Sequence, residues 1–214
     1  MKRLISFLLV LFASHVAHAQ DLRLPFNGRW FVMQGGDTLN VNQHMATQSQ
    51  YFGIDFVKVG GPTQRQLSRG IPTKNEDFFS WNETVVAPAD GLVVAVTRDL
   101  PDNPLGVKDA QNPAGNFVAI QIAPNRFLFL AHFKKDSLVL KVGDRLKRGE
   151  AIGKCGNSGN SDYPHIHLHI QDKPTLNEGI GQNPIFSGMD VELTGKTFEN
   201  VTWPLIAGLW VWPR

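Results

Sequence analysis

The sequence predicts a mainly β protein built from antiparallel sheets. Its 214 residues include 20 glycines and 13 prolines, which interrupt the chain too often for long helices. Apolar residues recur in short alternating runs, the pattern of strands with one buried face, and few segments have a helical period. A chain of this length can bury a substantial core as one domain.

The first half of the chain contains predicted strands separated by two long loops. Strands are predicted within Gly28–Gly35 and Tyr51–Gly60, and two more on either side of the Pro-Ala-Asp-Gly turn in Thr84–Val96. The polar segment Gly61–Trp81 and the proline-rich segment Arg98–Gly115 are predicted to be loops. Because long loops in compact domains are often functional, we expect both to wall a groove.

The second half continues the same pattern. Asn116–Ala123 and Arg126–Phe133 are predicted to form a hairpin around Pro124-Asn125, and the turns within Val142–Gly156 indicate a tightly folded β-unit. The tail, residues 191–214, carries three tryptophans and is expected to pack on a core of about residues 42–190.

The N-terminal residues have the features of an export signal. Lys2 and Arg3 precede the short apolar segment Leu4–Ala13, and Ala17-His18-Ala19 is a typical cleavage site. The apolar segment is too short for a stable membrane span, although an uncleaved anchor is the alternative. We therefore expect a signal peptide at residues 1–19 and a single exported domain at 20–214, either periplasmic or secreted.

Composition excludes some partners. Removal of Lys2 and Arg3 with the signal leaves 19 basic and 19 acidic residues, so no net charge favours a nucleic-acid partner. No other segment is apolar enough for membrane insertion after signal cleavage. The single cysteine, Cys155, cannot form an internal disulfide and is expected to be a small buried residue.

Three histidines alternate in the segment Ser161–Asp172. His165, His167 and His169 occupy every second position, so on a strand they project from one face. One such histidine is ordinarily just a polar side chain, but three on one face need partners for their ring nitrogens. A divalent metal is a common partner for clustered histidines.

The two other histidines that remain after signal cleavage are His44 and His132. His44 lies eleven residues before Asp55, a carboxylate between two apolar residues of a predicted strand. Asp55 could instead pair with a lysine or arginine, and His132, at the end of an apolar run, could face water. A site that combines His44, Asp55 and one strand histidine has the two nitrogens and one oxygen that catalytic zinc sites prefer, with a fourth position open.

Sequence signatures of other hydrolases are missing. The sequence contains no H-E-x-x-H, no G-x-S-x-G and no P-loop motif. Serine-hydrolase and nucleotide chemistry therefore have little support.

Several segments, in order, resemble the lysostaphin-like (LytM-type) zinc metallopeptidases. They are "NQHMATQSQYFGIDF", "APADGLVVAV", "FLAHF", "VGDRLKRGEAIGKCGNSGNS" and "PHIHLH", within Asn42–Gln171. The resemblance implies antiparallel sheets of the barrel-sandwich-hybrid-like type, with a groove across one zinc ion. It also implies an endopeptidase whose usual substrates are peptide bonds of bacterial peptidoglycan, although a protein substrate stays open, as does the oligomeric state.

The resemblance also assigns roles to individual residues. Carried over, the zinc ligands are His44, Asp55 and His167, and the histidines that flank the open zinc position are His132 and His165. Which of these two is the general base stays open.

Two positions depart from the usual family pattern. The commonest family spacing puts the aspartate four residues after the first histidine, whereas Asp55 follows His44 by eleven, so His44 must reach the site from a loop or a preceding strand. His169 stands where many members carry glutamate. His169 is expected either to contact a zinc ligand without binding the ion or, if the strand register is shifted, to bind zinc itself.

Two other functions are compatible with parts of the sequence. One is a non-enzymatic domain of the same fold that binds cell wall or activates a partner hydrolase. The other is a β module similar to biotinyl or lipoyl carriers, but no lysine lies at a matching turn and the histidines would be unexplained.

Overall fold

The computed structural model describes residues 21–214. The predicted signal peptide, residues 1–19, lies outside the described residues.

Short strands dominate the described chain. In order they are β1 Trp30–Gln34, β2 Ile54–Lys58, β3 Thr84–Val86, β4 Gly91–Thr97, β5 Asn116–Ala123, β6 Arg126–Phe133, β7 Arg145–Leu146, β8 Ala151–Lys154, β9 Ile166–Gln171, β10 Gly181–Gln182, β11 Ile185–Leu193, β12 Lys196–Pro204 and β13 Trp210–Pro213. The helical segments in the described range are short 3-10 turns at Gln43–Ala46, Gln48–Gln50 and Asn75–Asp77.

The strands form one large sheet and a small one. The large sheet has the order β12-β11-β13-β1-β2-β9-β6-β5-β4-β7, with β10 paired to β9, and the small sheet pairs β3 with β8. The pairings between these strands are antiparallel. The predicted mainly antiparallel β fold is therefore confirmed.

The two strands around the Pro-Ala-Asp-Gly turn do not form a hairpin with each other. β3 pairs with β8 in the small sheet, whereas β4 pairs with β5 and β7 in the large one. The loop between β7 and β8 is hydrogen-bonded to the residue before the Pro-Ala-Asp-Gly turn: Gly149 N donates to Ala87 O, and Ala87 N donates to Glu150 O. Residues 84–97 therefore pair with residues 145–154, through β3 and β8 in the small sheet and through β4 and β7 in the large one. Local alternation does not reveal this long-range pairing.

The hairpin predicted around Pro124-Asn125 is confirmed. β5 and β6 pair antiparallel around the turn at Pro124-Asn125, where Asn125 has a φ of 53°. On its other side β6 pairs with β9, and β9 in turn pairs with β2. The centre of the large sheet therefore brings residues from three distant parts of the sequence side by side.

The core lies beneath these central strands. Trp30 and Phe56 are fully buried, and Phe26 stacks on Trp30 with ring centroids 4.5 Å apart. The tail contributes to the main sheet directly, because β13 lies between β11 and β1. Cys155 is buried, as predicted.

Among residues 21–214, no helix has the length and hydropathy needed to cross a bilayer.

Candidate metal centre

Two neighbouring central strands place Asp55 opposite His167. Asp55 lies on β2 and His167 on β9, and they are direct partners in the antiparallel register. Because directly opposed residues project to the same face of a sheet, their side chains meet. His167 Nδ1 lies 2.9 Å from Asp55 Oδ1, and both side chains are almost fully buried.

His44 approaches the same carboxylate from the loop before β2. It lies on the 3-10 turn Gln43–Ala46, and its Nε2 is 3.0 Å from Asp55 Oδ2. The structure thus places the first histidine outside any strand, which accommodates the eleven-residue spacing to Asp55.

Asn42 fixes the turn that carries His44. Its side-chain oxygen accepts a hydrogen bond from His44 N, and its amide group donates to Gly36 O and Gly53 O. Gly53 leaves room for the imidazole, because a Cβ at that position would lie 3.0 Å from His44 Cγ. The loop conformation at His44 is therefore specified by a buried polar side chain and by a close contact that only glycine tolerates without adjustment.

Burial and neighbouring charges shift the pKa values of all three side chains. Burial opposes ionisation of Asp55, but attraction to His44 and His165 outweighs it and holds the pKa of Asp55 well below its ordinary value. Burial is the largest single influence on His44 and lowers its pKa, but the Asp55 charge and the side-chain contacts with Asp55 and Gln50 together outweigh burial, so the net shift is upward. Burial lowers the pKa of His167 to about 4, so this imidazole is neutral at pH 7.

The three side chains fit a zinc ion. The ligand atoms of His44, Asp55 and His167 lie within 4.8 Å of one another. Within the described part of the chain, His44 Nε2 is buried and makes no hydrogen bond of acceptable geometry, although it lies close to Asp55. Two imidazole nitrogens and one carboxylate oxygen are a common ligand set of catalytic zinc, with a further position left for substrate or water.

His132 lies beside this cluster in an uncommon backbone conformation. It is on β6 with a φ of 64°, the left-handed region that a non-glycine residue rarely occupies. Its Nδ1 donates a hydrogen bond to Ser158 O at 2.8 Å, so in the neutral ring Nε2 carries the lone pair. His132 is only 6% exposed and does not face bulk water, and burial lowers its pKa well below the ordinary value.

His165 completes the group on the loop that leads into β9. Its Nδ1 lies 2.9 Å from Tyr163 O, which can only accept, so Nδ1 carries a proton. Its Nε2 lies 3.7 Å from Asp55 Oδ1, and its ring centroid is 4.6 Å from that of His132.

His169 contacts His167 and not the carboxylate. Its Nδ1 lies 2.9 Å from His167 Nε2, and its ring stacks on Phe129 with centroids 4.8 Å apart. The strand register pairs Asp55 with His167, so the shifted register that would make His169 a ligand is not formed. Burial lowers the pKa of His169 well below its ordinary value.

The cluster lies at the base of a groove of about 520 Å³. One wall comes from the predicted loop Arg98–Gly115, through Lys108 and its neighbours, and the other from the loop around His44. The other predicted loop, Gly61–Trp81, does not line the groove, contrary to expectation; its Phe78 stacks on the wall residue Tyr163. All three alternating histidines, His165, His167 and His169, line this groove.

Several supporting residues were missed by sequence reasoning. Asn42, Ser158 and Gln171 hold His44, His132 and His169 respectively through hydrogen bonds. Asn42 had a usable signal, because asparagine before a short helical turn is a common cap. Ser158 acts through its backbone carbonyl and had none.

Comparisons with known proteins identify a family. Residues 73–179 match the profile of Peptidase family M23. This region contains His132, His165, His167 and His169, whereas His44 and Asp55 precede it.

Two curated proteins and one solved structure illustrate the similarity. The chain is 31% identical over 100 residues to Endolysin 2638A of Staphylococcus phage 2638A, covering 45% of this chain and 21% of the endolysin. It is 25% identical over 148 residues to the Peptidoglycan DD-endopeptidase ShyA of Vibrio cholerae, covering 69% of this chain and 26% of that protein. The catalytic domain of lysostaphin from Staphylococcus simulans superposes with a TM-score of 0.42 at 20% identity, covering 63% of this chain and 75% of that one. The matched regions thus span about a quarter or less of both curated relatives.

Proposed function

Because this chain belongs to Peptidase family M23, we propose that it is an exported zinc endopeptidase that hydrolyses peptide bonds in bacterial peptidoglycan. The observation that carries the proposal is the cluster of His44, Asp55 and His167 at the base of the groove, with two further imidazoles beside it.

In this proposal His44, Asp55 and His167 hold a single zinc ion. When bound there, zinc supplies Lewis acidity that polarises a peptide carbonyl and makes water a stronger acid. Asp55 contributes a negative charge that partly neutralises the ion, and the two imidazoles contribute neutral nitrogens. The protons that these ligands carry must leave when the metal binds, so binding is favoured as pH rises.

His132 and His165 transfer protons in this proposal. Both rings direct Nδ1 to a backbone carbonyl, which leaves Nε2 as the acceptor within the groove. One Nε2 takes a proton from the attacking water, and the other supports the developing oxyanion or the leaving amine. The low pKa of His132 favours it as the group that is neutral, and so able to accept a proton, before each turnover.

The proposed substrate rests on relatives and on the export signal. One similar protein is named a peptidoglycan endopeptidase and another a phage endolysin, and cell wall is a substrate that an exported enzyme meets. The groove is open and lined with polar residues, as suits an extended peptide.

Digestion of purified sacculi tests the proposal. The purified protein should release muropeptides from sacculi, a chelator should abolish this release, and added zinc should restore it. Mass spectrometry of the products then identifies the bond that is cleaved. A protein that holds one zinc ion and binds sacculi without releasing muropeptides would instead be a non-enzymatic binding domain.

A further inference from the structure

A buried chain of hydrogen-bonding groups extends from the candidate metal centre along β9. From His167 it passes to His169 at 2.9 Å and from His169 to Gln171 at 3.3 Å. The exposed fractions of these three residues are 4%, 2% and 0%. The proposed ligand role of His167 leaves His169 and Gln171 without a function.

The orientation of the Gln171 amide is fixed at the far end. Its Nε2 donates hydrogen bonds to Lys173 O at 2.8 Å and to Thr175 O at 2.6 Å. Carbonyl oxygens only accept, so the amide nitrogen must face them and Oε1 must face His169. A flipped amide would set one oxygen against two others.

This orientation fixes the proton of His169. Gln171 Oε1 can only accept, so His169 Nε2 carries the proton. The His169 ring is buried against Phe129, and in the described chain it forms no ion pair with a carboxylate, so it is neutral. Its Nδ1 therefore has a lone pair and accepts a hydrogen bond from His167 Nε2.

The consequence at His167 is a lone pair on Nδ1 that faces a carboxylate. With its proton on Nε2, neutral His167 presents an unprotonated Nδ1 at 2.9 Å from Asp55 Oδ1. Two acceptors then face each other in a buried place, which is unfavourable unless a cation lies between them. If both imidazoles instead carried their protons on Nδ1, His167 could donate to Asp55, but the unprotonated Nε2 of His169 would then face Gln171 Oε1, which is another pair of acceptors.

We propose that Gln171 and His169 are positioning residues that fix the tautomer of His167, so that Nδ1 is its metal-binding atom. Gln171 sets the proton of His169, and His169 then accepts the proton of His167. The inference rests on the proposed zinc site and specifies how that site is prepared.

Zinc affinity tests the proposal in purified protein. His169→Phe keeps an aromatic ring against Phe129 but removes the acceptor, and loss of such a supporting contact typically weakens metal binding about 10- to 100-fold. His169→Gln supplies an acceptor oxygen and should recover most of the affinity. Val94→Ala, on the apolar cluster that contains Phe129, is the matched packing control and should leave affinity unchanged.

Imidazole nitrogen spectra provide a readout that stability alone would not change. In the zinc-loaded protein, long-range ¹H–¹⁵N correlations should show a proton on Nε2 of both His167 and His169, with both Nδ1 atoms unprotonated. Gln171→Leu should mix the His169 tautomers and weaken zinc binding. This second variant tests the chain of contacts even where His169→Phe does not fold.

The outcomes separate the two proposals. Unaltered protein that binds no zinc contradicts the proposed function and this inference with it. Unaltered protein that binds zinc while folded His169→Phe binds it equally tightly overturns the inference alone, as does a proton on His169 Nδ1.

Discussion

The three proposed metal-binding residues are held in two different ways. Asp55 and His167 lie on adjacent strands, where the register of β2 and β9 sets their separation. His44 lies on a single 3-10 turn in a loop, held to the start of β2 by Asn42. The backbone hydrogen bonds of the sheet therefore position one pair, while one buried side chain positions the third residue.

The two kinds of support have different consequences for the site. The strand pair can keep its geometry without a metal because neighbouring strands on both sides support it. The loop residue lies outside the sheet and depends on the hydrogen bonds of Asn42 for its position. If all three bind the ion as proposed, two ligands are set by strand register and the third by a loop.

The largest expected effect comes from removing a ligand. We expect His167→Ala to lose stoichiometric zinc, whereas His44→Ala retains weak binding because Asp55 and His167 stay opposed on their strands. Zinc content and competition with a chelator measure both. Asp90→Ala, which removes an exposed carboxylate paired with Lys147, is the control and should bind zinc normally. Stronger residual binding by His167→Ala than by His44→Ala would refute the comparison.

The second-largest expected effect is on the rate of hydrolysis, with zinc content unchanged. We expect His132→Ala and His165→Ala to keep their zinc but to hydrolyse sacculi about 10²- to 10⁴-fold more slowly, because each loses a group that moves or holds a proton. Initial rates of muropeptide release, with metal content measured on the same samples, provide the test. Loss of zinc from either variant would mean that the histidine is a ligand and that the present assignment is wrong.

The smallest expected effect comes from the support of the loop. Asn42→Ala removes the cap and two hydrogen bonds to backbone carbonyls, so zinc affinity should fall by about tenfold, the lower end for a supporting residue. The free energy of unfolding should fall by only about 1–2 kcal/mol, because the central strands are untouched.

The matched control for Asn42 is its exposed neighbour Asn40. Asn40→Ala should change neither zinc affinity nor melting temperature, since this side chain is exposed. An Asn42→Ala protein that melts far below the control would show that the loop supports the whole sheet and is not a separate part.

Local patterns were sufficient to predict much of the fold. Alternating apolar residues predicted β1, β2 and the β5–β6 hairpin, because side-chain direction along a strand depends only on position. The same rule placed His165, His167 and His169 on one face, and all three line the groove. The two strands predicted on either side of the Pro-Ala-Asp-Gly turn are also present, but their pairing with distant partners could not be predicted from local alternation.

The kind of chemistry available, clustered imidazoles and one carboxylate in an apolar strand, can be read from the order of residues alone. Which of these side chains meet depends on the folded chain, since strand register, the Asn42 contacts and the left-handed backbone at His132 involve residues far apart in the sequence. The protons of His167 and His169 depend on the orientation of one buried amide at Gln171. Periodicity depends on neighbouring residues, whereas register and hydrogen-bond direction depend on the folded whole.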